Sequence, residues 1–130
     1  MFIQILVRTY KTKKPQYKSL KFMENFFIKK NLKFMVDSSK QKKRTVNQMI
    51  LSRPLIPKLG DLYNLYQYIY MNKRTTVLEF GSGWSSLIIN IALKDLSNKY
   101  SNDMKTLRRN NPFELFILEN EKKFLNISRN

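Results

Sequence analysis

Acidic residues and glycines in the second half of the sequence have a spacing that suits small-molecule binding. Glu79 precedes Gly81 and Gly83, and Glu119 follows the first of these glycines by 38 residues. A glycine pair lets the backbone approach a ligand closely, because no Cβ atom is in the way. A carboxylate that ends the next strand, as Glu119 does, can accept hydrogen bonds from ribose hydroxyls. The spacing therefore predicts a site for a ligand that carries such groups.

The segments around these residues predict a strand, a glycine turn, a helix and a second strand. Thr75–Phe80 has the composition of a buried strand, Ser85–Leu96 is apolar on nearly every side of a helix, and Phe113–Leu118 is a second apolar strand. Such a βαβ unit has parallel strands joined by a right-handed crossover. Its glycine turn lies at the carboxyl ends of the strands, beside the positive helix N terminus, where open α/β sheets bind ligands.

Other parts of the sequence predict shorter elements and a division into two regions. The further predicted elements are a strand at Phe2–Arg8, a loop at Lys11–Lys18, a helix from Leu20 to about Lys30, a strand at Leu32–Val36, a solvated loop at Lys40–Arg44, a helix opened by Gly60 and capped by Asp61 that ends near Met71, a turn at Asn72–Arg74, an extended loop or short helix at Ser97–Pro112, and a helix at Glu121–Asn130. Residues 1–58 are interpreted as a basic lead-in region, and 59–130 as a ligand-binding βαβ half.

The segment Val77–Ser86 (Val-Leu-Glu-Phe-Gly-Ser-Gly-Trp-Ser-Ser) resembles motif I of the class I S-adenosylmethionine-dependent methyltransferases. Phe116–Asn120 is similar to the second strand of that family, whose terminal acid binds the ribose. The resemblance implies S-adenosylmethionine as cofactor, with Glu79 near its amino group and the two glycines under its carboxypropyl chain. The cofactor-binding residues that it implies are Glu79, Phe80, Gly81, Ser82, Gly83, Trp84, Ser85, Glu119 and Asn120.

The fold class predicted is α/β, a Rossmann-like parallel sheet with flanking helices. Three features depart from the family pattern. Ser85 replaces the third glycine, the 38-residue gap to Glu119 exceeds the roughly 20 residues of a dinucleotide-type unit, and the chain ends soon after the second strand. Family members complete the sheet beyond that strand, where their catalytic and acceptor-binding residues lie. We therefore expect an incomplete fold, with Ser97–Pro112 as an insertion, and the sequence names neither a methyl acceptor nor a general base.

Structural interpretations of the same residues stay open beside this one. Glu79 could pair with a lysine, the glycines could form only a tight turn, and Glu119 could complement a helix dipole. Trp84 could belong to the core. Aromatic residues at helical spacing could cover an adenosine or pack in the core; they are Tyr63, Tyr66 and Tyr70.

Composition excludes several kinds of site. The chain contains no cysteine and no histidine, so disulfides, thiolate-bound metals and imidazole catalysis are excluded and no metal site is expected. The formal net charge is +16, with fifteen Lys/Arg against two acids up to Lys58. This basic half is a candidate surface for nucleic acid. Eighteen lysines and thirteen asparagines against one alanine also fit codon bias and solubility. No apolar run approaches a membrane span, so a cytoplasmic protein is expected.

Other functions compete with methyl transfer. The pattern Gly81-x-Gly83-x-x-Ser86 is similar to a nicotinamide-dinucleotide fingerprint, although a carboxylate at Glu79 better suits an amine-bearing ligand. A basic nucleic-acid-binding module in the first 58 residues would use aromatic residues such as Tyr17 among its lysines. A nucleotide-sugar enzyme and a fragment without activity are the remaining alternatives.

Overall fold

The computed structural model describes residues 11–41, 55–106 and 112–129. In chain order these ranges form α1 (Leu20–Lys29), α2 (Lys33–Ser39), α3 (Leu59–Met71), β1 (Thr76–Phe80), α4 (Trp84–Lys99), a 3₁₀ helix (Asp103–Thr106), β2 (Glu114–Leu118) and α5 (Lys122–Arg129). The strand predicted at Phe2–Arg8 and most of the loop predicted at Lys40–Arg44 lie outside the described residues.

The two strands form a parallel pair, and α4 connects them. The register runs from Thr76 opposite Glu114 to Phe80 opposite Leu118, so both strands end at the same edge of the sheet. The predicted βαβ unit is confirmed at this level. The protein is a mixture of helices and a small parallel sheet, a partial α/β fold.

Helix α4 covers one face of this sheet and also packs against α3. Its buried residues recur on a helical stripe and form the centre of the core: Ser86, Ile88, Ile89, Ala92, Leu93 and Leu96. Val77 on β1 packs against this core, whereas the alternate residue Phe80 is 79% exposed. The prediction that Thr75–Phe80 is a buried strand is therefore wrong for one of its faces, because no described helix covers that face.

Two N-terminal helices contribute to the same core. Ser19 caps α1 by accepting a hydrogen bond from the Phe22 amide, and Met23 and Phe27 are buried on the inner face of the helix. The strand predicted at Leu32–Val36 is wrong, because this segment forms α2. Its buried residues follow a spacing of three and four: Leu32, Met35 and Val36. Asn31, with φ of 62°, reverses the chain between the two helices.

Helix α3 begins at Leu59, ahead of the start predicted at Gly60 and Asp61. Lys58 is the N-cap residue and makes no side-chain cap hydrogen bond, so the prediction that Asp61 caps the helix is wrong. Asp61 lies in the first turn, where its charge complements the helix dipole. The predicted end at Met71 and the turn that follows are confirmed. Helix α4 extends to Lys99, so the predicted Ser97–Pro112 loop starts later and contains the 3₁₀ helix.

A polar cluster joins three helices beside the core. Asp95 on α4 accepts hydrogen bonds from Lys30 Nζ, at 2.5 Å, and from the Tyr66 hydroxyl on α3, at 2.6 Å. Burial, together with the hydrogen bond to Asp95, raises the pKa of Tyr66 far above its ordinary value. The cluster joins the end of α1 and the middle of α3 to the helix of the βαβ unit.

Candidate functional site

The glycine turn, Gly81–Gly83, lies where the two strands end. The Gly81 amide donates a hydrogen bond of 2.8 Å to the carbonyl of Leu118, so the turn continues the pairing of the sheet by one residue. Gly81 has φ of 88°, a conformation that glycine adopts without steric cost. The turn then leads directly into α4, with Gly83 as its N-cap residue.

Glu79 lies just ahead of the turn, and only one of its two carboxylate oxygens has a hydrogen-bond donor among the described residues. Its Oε1 accepts a hydrogen bond from the Ser85 hydroxyl, whereas Oε2 is buried and has no hydrogen-bond partner among the described residues. Such an acceptor costs about 1–3 kcal/mol when no donor reaches it. Ion pairs between described residues involve other carboxylates, so the interpretation of Glu79 as the partner of a lysine finds no such partner there. Among the described residues, the other buried side-chain oxygen without a hydrogen-bond partner is Thr76 Oγ1, at the start of β1.

Glu119 lies beside the glycine turn, as the predicted site requires. The Ser82 hydroxyl donates to its Oε2 at 2.8 Å, and the Glu121 amide donates to Oε1 at 3.2 Å. These hydrogen bonds, that of Ser82 first, lower the pKa of Glu119. Because Glu119 also lies just ahead of α5, its interpretation as an acid that complements a helix dipole stays open.

The two glycines differ in what the fold demands of them. Apart from its chain neighbours, an added Cβ at either position would meet no atom of the described residues within 4 Å, so packing among these residues requires neither glycine. Gly81 is required by its positive φ, but Gly83 has the extended φ of 168° that any residue adopts. The described residues therefore leave space next to Gly83, as they do next to Gly81.

Ser86, the third residue of α4, contacts the glycine turn and was not among the predicted site residues. Its hydroxyl oxygen accepts a hydrogen bond of 3.1 Å from the Gly83 amide. This contact satisfies one of the free amides at the start of α4. The signal for it is the capping-box spacing, in which the third residue of a helix reaches back to the N-cap amide.

Trp84 lies at the border between the turn and an open cleft of about 1140 Å³. Its indole nitrogen donates to the carbonyl of Leu55 at 2.6 Å, and its ring centroid lies 5.9 Å from that of Phe34. Apolar residues form much of the cleft wall: Leu20, Leu55, Ile56, Pro57, Leu59, Leu62 and Trp84. The ion pair of Lys40 with Glu24, at 3.0 Å, lies at its edge.

The remaining predicted site residues lie apart from this hydrogen-bonded group. Phe80 is on the exposed face of the sheet, and Asn120 is exposed beyond β2. Tyr63 and Tyr66 are buried in the core against α1, which favours their structural interpretation. Tyr70 stacks on Tyr66 with ring centroids 5.6 Å apart.

The described residues contain no cluster of acidic side chains that could hold a metal ion. Among the helices of the described ranges, none has the length and apolar character needed to cross a lipid bilayer. Comparison of the chain with protein-family models, curated proteins and solved structures found no match in any of the three.

Proposed function

We propose that this protein binds S-adenosylmethionine in a Rossmann-like crevice and acts as a methyltransferase on an acceptor still to be identified. The observation that carries the proposal is the buried Oε2 of Glu79, which has no hydrogen-bond partner among the described residues and lies two residues ahead of the glycine turn. A buried carboxylate oxygen is stabilised by a charged donor, and the ammonium group of a bound amino acid moiety supplies one.

Residues in and beside the glycine turn fit such a cofactor in three respects. Glu79 would accept from the ammonium group, and the unused space at Gly83 would admit the carboxypropyl chain. Glu119 would accept from the ribose hydroxyls, because Ser82 and the Glu121 amide leave lone pairs on its oxygens free. The parallel pairing of β1 with β2 supports this placement, since ligands bind at the carboxyl ends of parallel strands.

The chemistry that the cofactor supplies when bound is an electrophilic methyl group on a sulfonium. The protein's own residues orient and shield the reactants: the turn would fix one end, Glu119 the other, and the cleft beside Trp84 would admit the acceptor. Catalysis of this kind depends mainly on proximity and orientation rather than on a general base.

A nicotinamide dinucleotide fits the same crevice less well. Glu79 places a buried carboxylate oxygen without a described donor two residues ahead of the turn, which suits an ammonium group better than a pyrophosphate. The Gly83 amide, which would otherwise donate to a phosphate, already donates to Ser86.

Calorimetric titration of the full chain tests the proposal. We expect micromolar binding of S-adenosylmethionine and its demethylated product, no binding of NADH, and loss of binding in Gly81→Arg. The control is Lys94→Gln, an exposed change on α4 that should bind like the unaltered protein. Binding of NADH alone, or equal binding by Gly81→Arg, would contradict the proposal.

A further inference from the structure

Lysines with no ion-pair partner are concentrated on the extended segment 11–19 and on α1. Within the described residues 11–41, the lysines that form ion pairs are Lys30, Lys33 and Lys40. Within residues 11–29 the lysines without a described carboxylate in ion-pair range are Lys11, Lys13, Lys14, Lys18, Lys21 and Lys29, whereas the other described lysines without an ion pair are spread over residues 58–123. Such a concentration of unpaired positive charge attracts a polyanion.

Two side-chain amides of α3 hold the extended segment in a fixed position. Gln67 donates to the carbonyl of Gln16 at 3.0 Å and accepts from its amide at 3.1 Å. Asn72 makes the same reciprocal pair with Lys13, at 2.9 and 2.8 Å. Gln67 is buried, and the hydrogen bonds shown for its side chain go to this segment. The segment is thereby ordered in advance, which lowers the entropic cost of binding a partner.

Aromatic rings are exposed among these lysines. The side chain of Tyr17 is 89% exposed, whereas that of Tyr63 is buried in the core. Phe22 is 46% exposed, and the ammonium group of Lys18 lies 5.7 Å from the centroid of its ring. Exposed rings beside cations are the elements on which unpaired bases stack while their phosphates are neutralised.

We propose that this surface binds single-stranded nucleic acid. We call it the lysine–aromatic surface, and its members are Lys14, Tyr17, Lys18, Lys21, Phe22 and Lys29. Stacking on Tyr17 requires an unpaired base, which excludes a closed duplex as the preferred partner. A lipid bilayer is less suited, because the most apolar face of α1, with Met23 and Phe27, is buried in the core, and the exposed Leu20 and Ile28 lie among lysines rather than on a continuous apolar face. This binding function is independent of methyl transfer, because it uses none of the residues around the glycine turn.

Fluorescence anisotropy of the full chain with labelled oligo-dT and oligo-U of about twelve nucleotides tests the proposal. We expect affinity to fall with salt on a logarithmic slope of about −3, since roughly four lysines would each neutralise one single-strand phosphate. The triple variant Lys14→Gln, Lys18→Gln, Lys21→Gln should lower that slope by about 2 units. A triple of equal net charge, Lys94→Gln, Lys122→Gln, Lys123→Gln, should bind like the unaltered protein.

Variants of the aromatic residues separate stacking from charge. Tyr17→Ala should weaken binding about tenfold, and Tyr17→Phe, which keeps the ring, should restore it. Phe22→Ala should also weaken binding, whereas Phe116→Ala, which removes a ring of matching exposure from the sheet, should not. Thermal melts of each variant show that it is folded.

Three outcomes would overturn the proposal. Equal losses in the two lysine triples would mean that net charge alone drives binding. Unchanged affinity in Tyr17→Ala would remove the stacking role. Binding to phosphatidylserine vesicles as tight as to the oligonucleotides, and indifferent to Tyr17, would assign the surface to membranes instead.

Discussion

Replacing Glu79 by glutamine separates a ligand-binding role from a structural one. The variant keeps an oxygen for the hydrogen bond from Ser85 but replaces the buried, unpartnered Oε2 by a neutral amide group. If that oxygen binds an ammonium group, the variant loses a charge-assisted hydrogen bond, which contributes about 1.5–3 kcal/mol. The affinity for S-adenosylmethionine should then fall by roughly 10- to 150-fold.

The stability of the ligand-free protein should respond differently. In the unliganded state Oε2 contributes no hydrogen bond, so removing its charge should leave the free energy of unfolding unchanged or raise it by about 1 kcal/mol. Calorimetry gives the affinity, and urea unfolding without ligand gives the stability. Ser85→Ala, which removes the donor to Oε1, is the companion variant and should lower stability instead. A Glu79→Gln protein that binds normally but unfolds much more easily would refute the reasoning.

Three further predictions concern the fold around the site. Asp95→Ala should lower the free energy of unfolding by about 2–3 kcal/mol in urea titrations, because Lys30 and Tyr66 both lose a hydrogen-bond partner; a loss below about 0.5 kcal/mol would contradict the cluster. The pKa of Tyr66 is raised above its ordinary 10.0, so the unfolded chain loses the hydroxyl proton at a lower pH than the folded protein does. The free energy of unfolding should therefore fall as the pH rises beyond about 10, and it should fall less steeply in Tyr66→Phe. The same dependence on pH in both proteins would contradict this prediction. Gly81→Ala should cost about 1–2 kcal/mol from its positive φ, and Gly83→Ala less than about 0.5; equal thermal shifts would contradict the difference.

Local periodicity was sufficient to predict the βαβ unit from the sequence. The apolar residues of β1 and β2 form short runs bounded by polar turns, and those of α4 recur at helical spacing. These patterns predicted two strands, the helix between them and the parallel pairing of the strands. The proximity of Glu119 to the glycine turn also followed, since parallel strands end at one edge of the sheet. That contact joins Ser82 to Glu119 across 37 residues, of which α4 takes up 16.

Features that depend on tertiary packing were not predictable in this way. Leu32–Val36 is short enough to suit either a strand or a helix, and only its packing against α1 and the reversal at Asn31 decide for a helix. The cleft beside Trp84 brings together residues from α1, the end of α2 and the start of α3, so no local pattern indicates it. The unpartnered oxygen of Glu79 likewise depends on which donors the whole fold brings near.

The most direct test of the proposed cofactor site is an NMR titration of protein labelled with ¹⁵N only at glycine. The chain has three glycines, so three amide signals report on Gly60, Gly81 and Gly83. With S-adenosylmethionine, the signals of Gly81 and Gly83 should shift saturably with one dissociation constant, and that of Gly60, at the start of α3, should shift less. Binding detected by calorimetry that leaves the signals of Gly81 and Gly83 unmoved would contradict a site at the glycine turn.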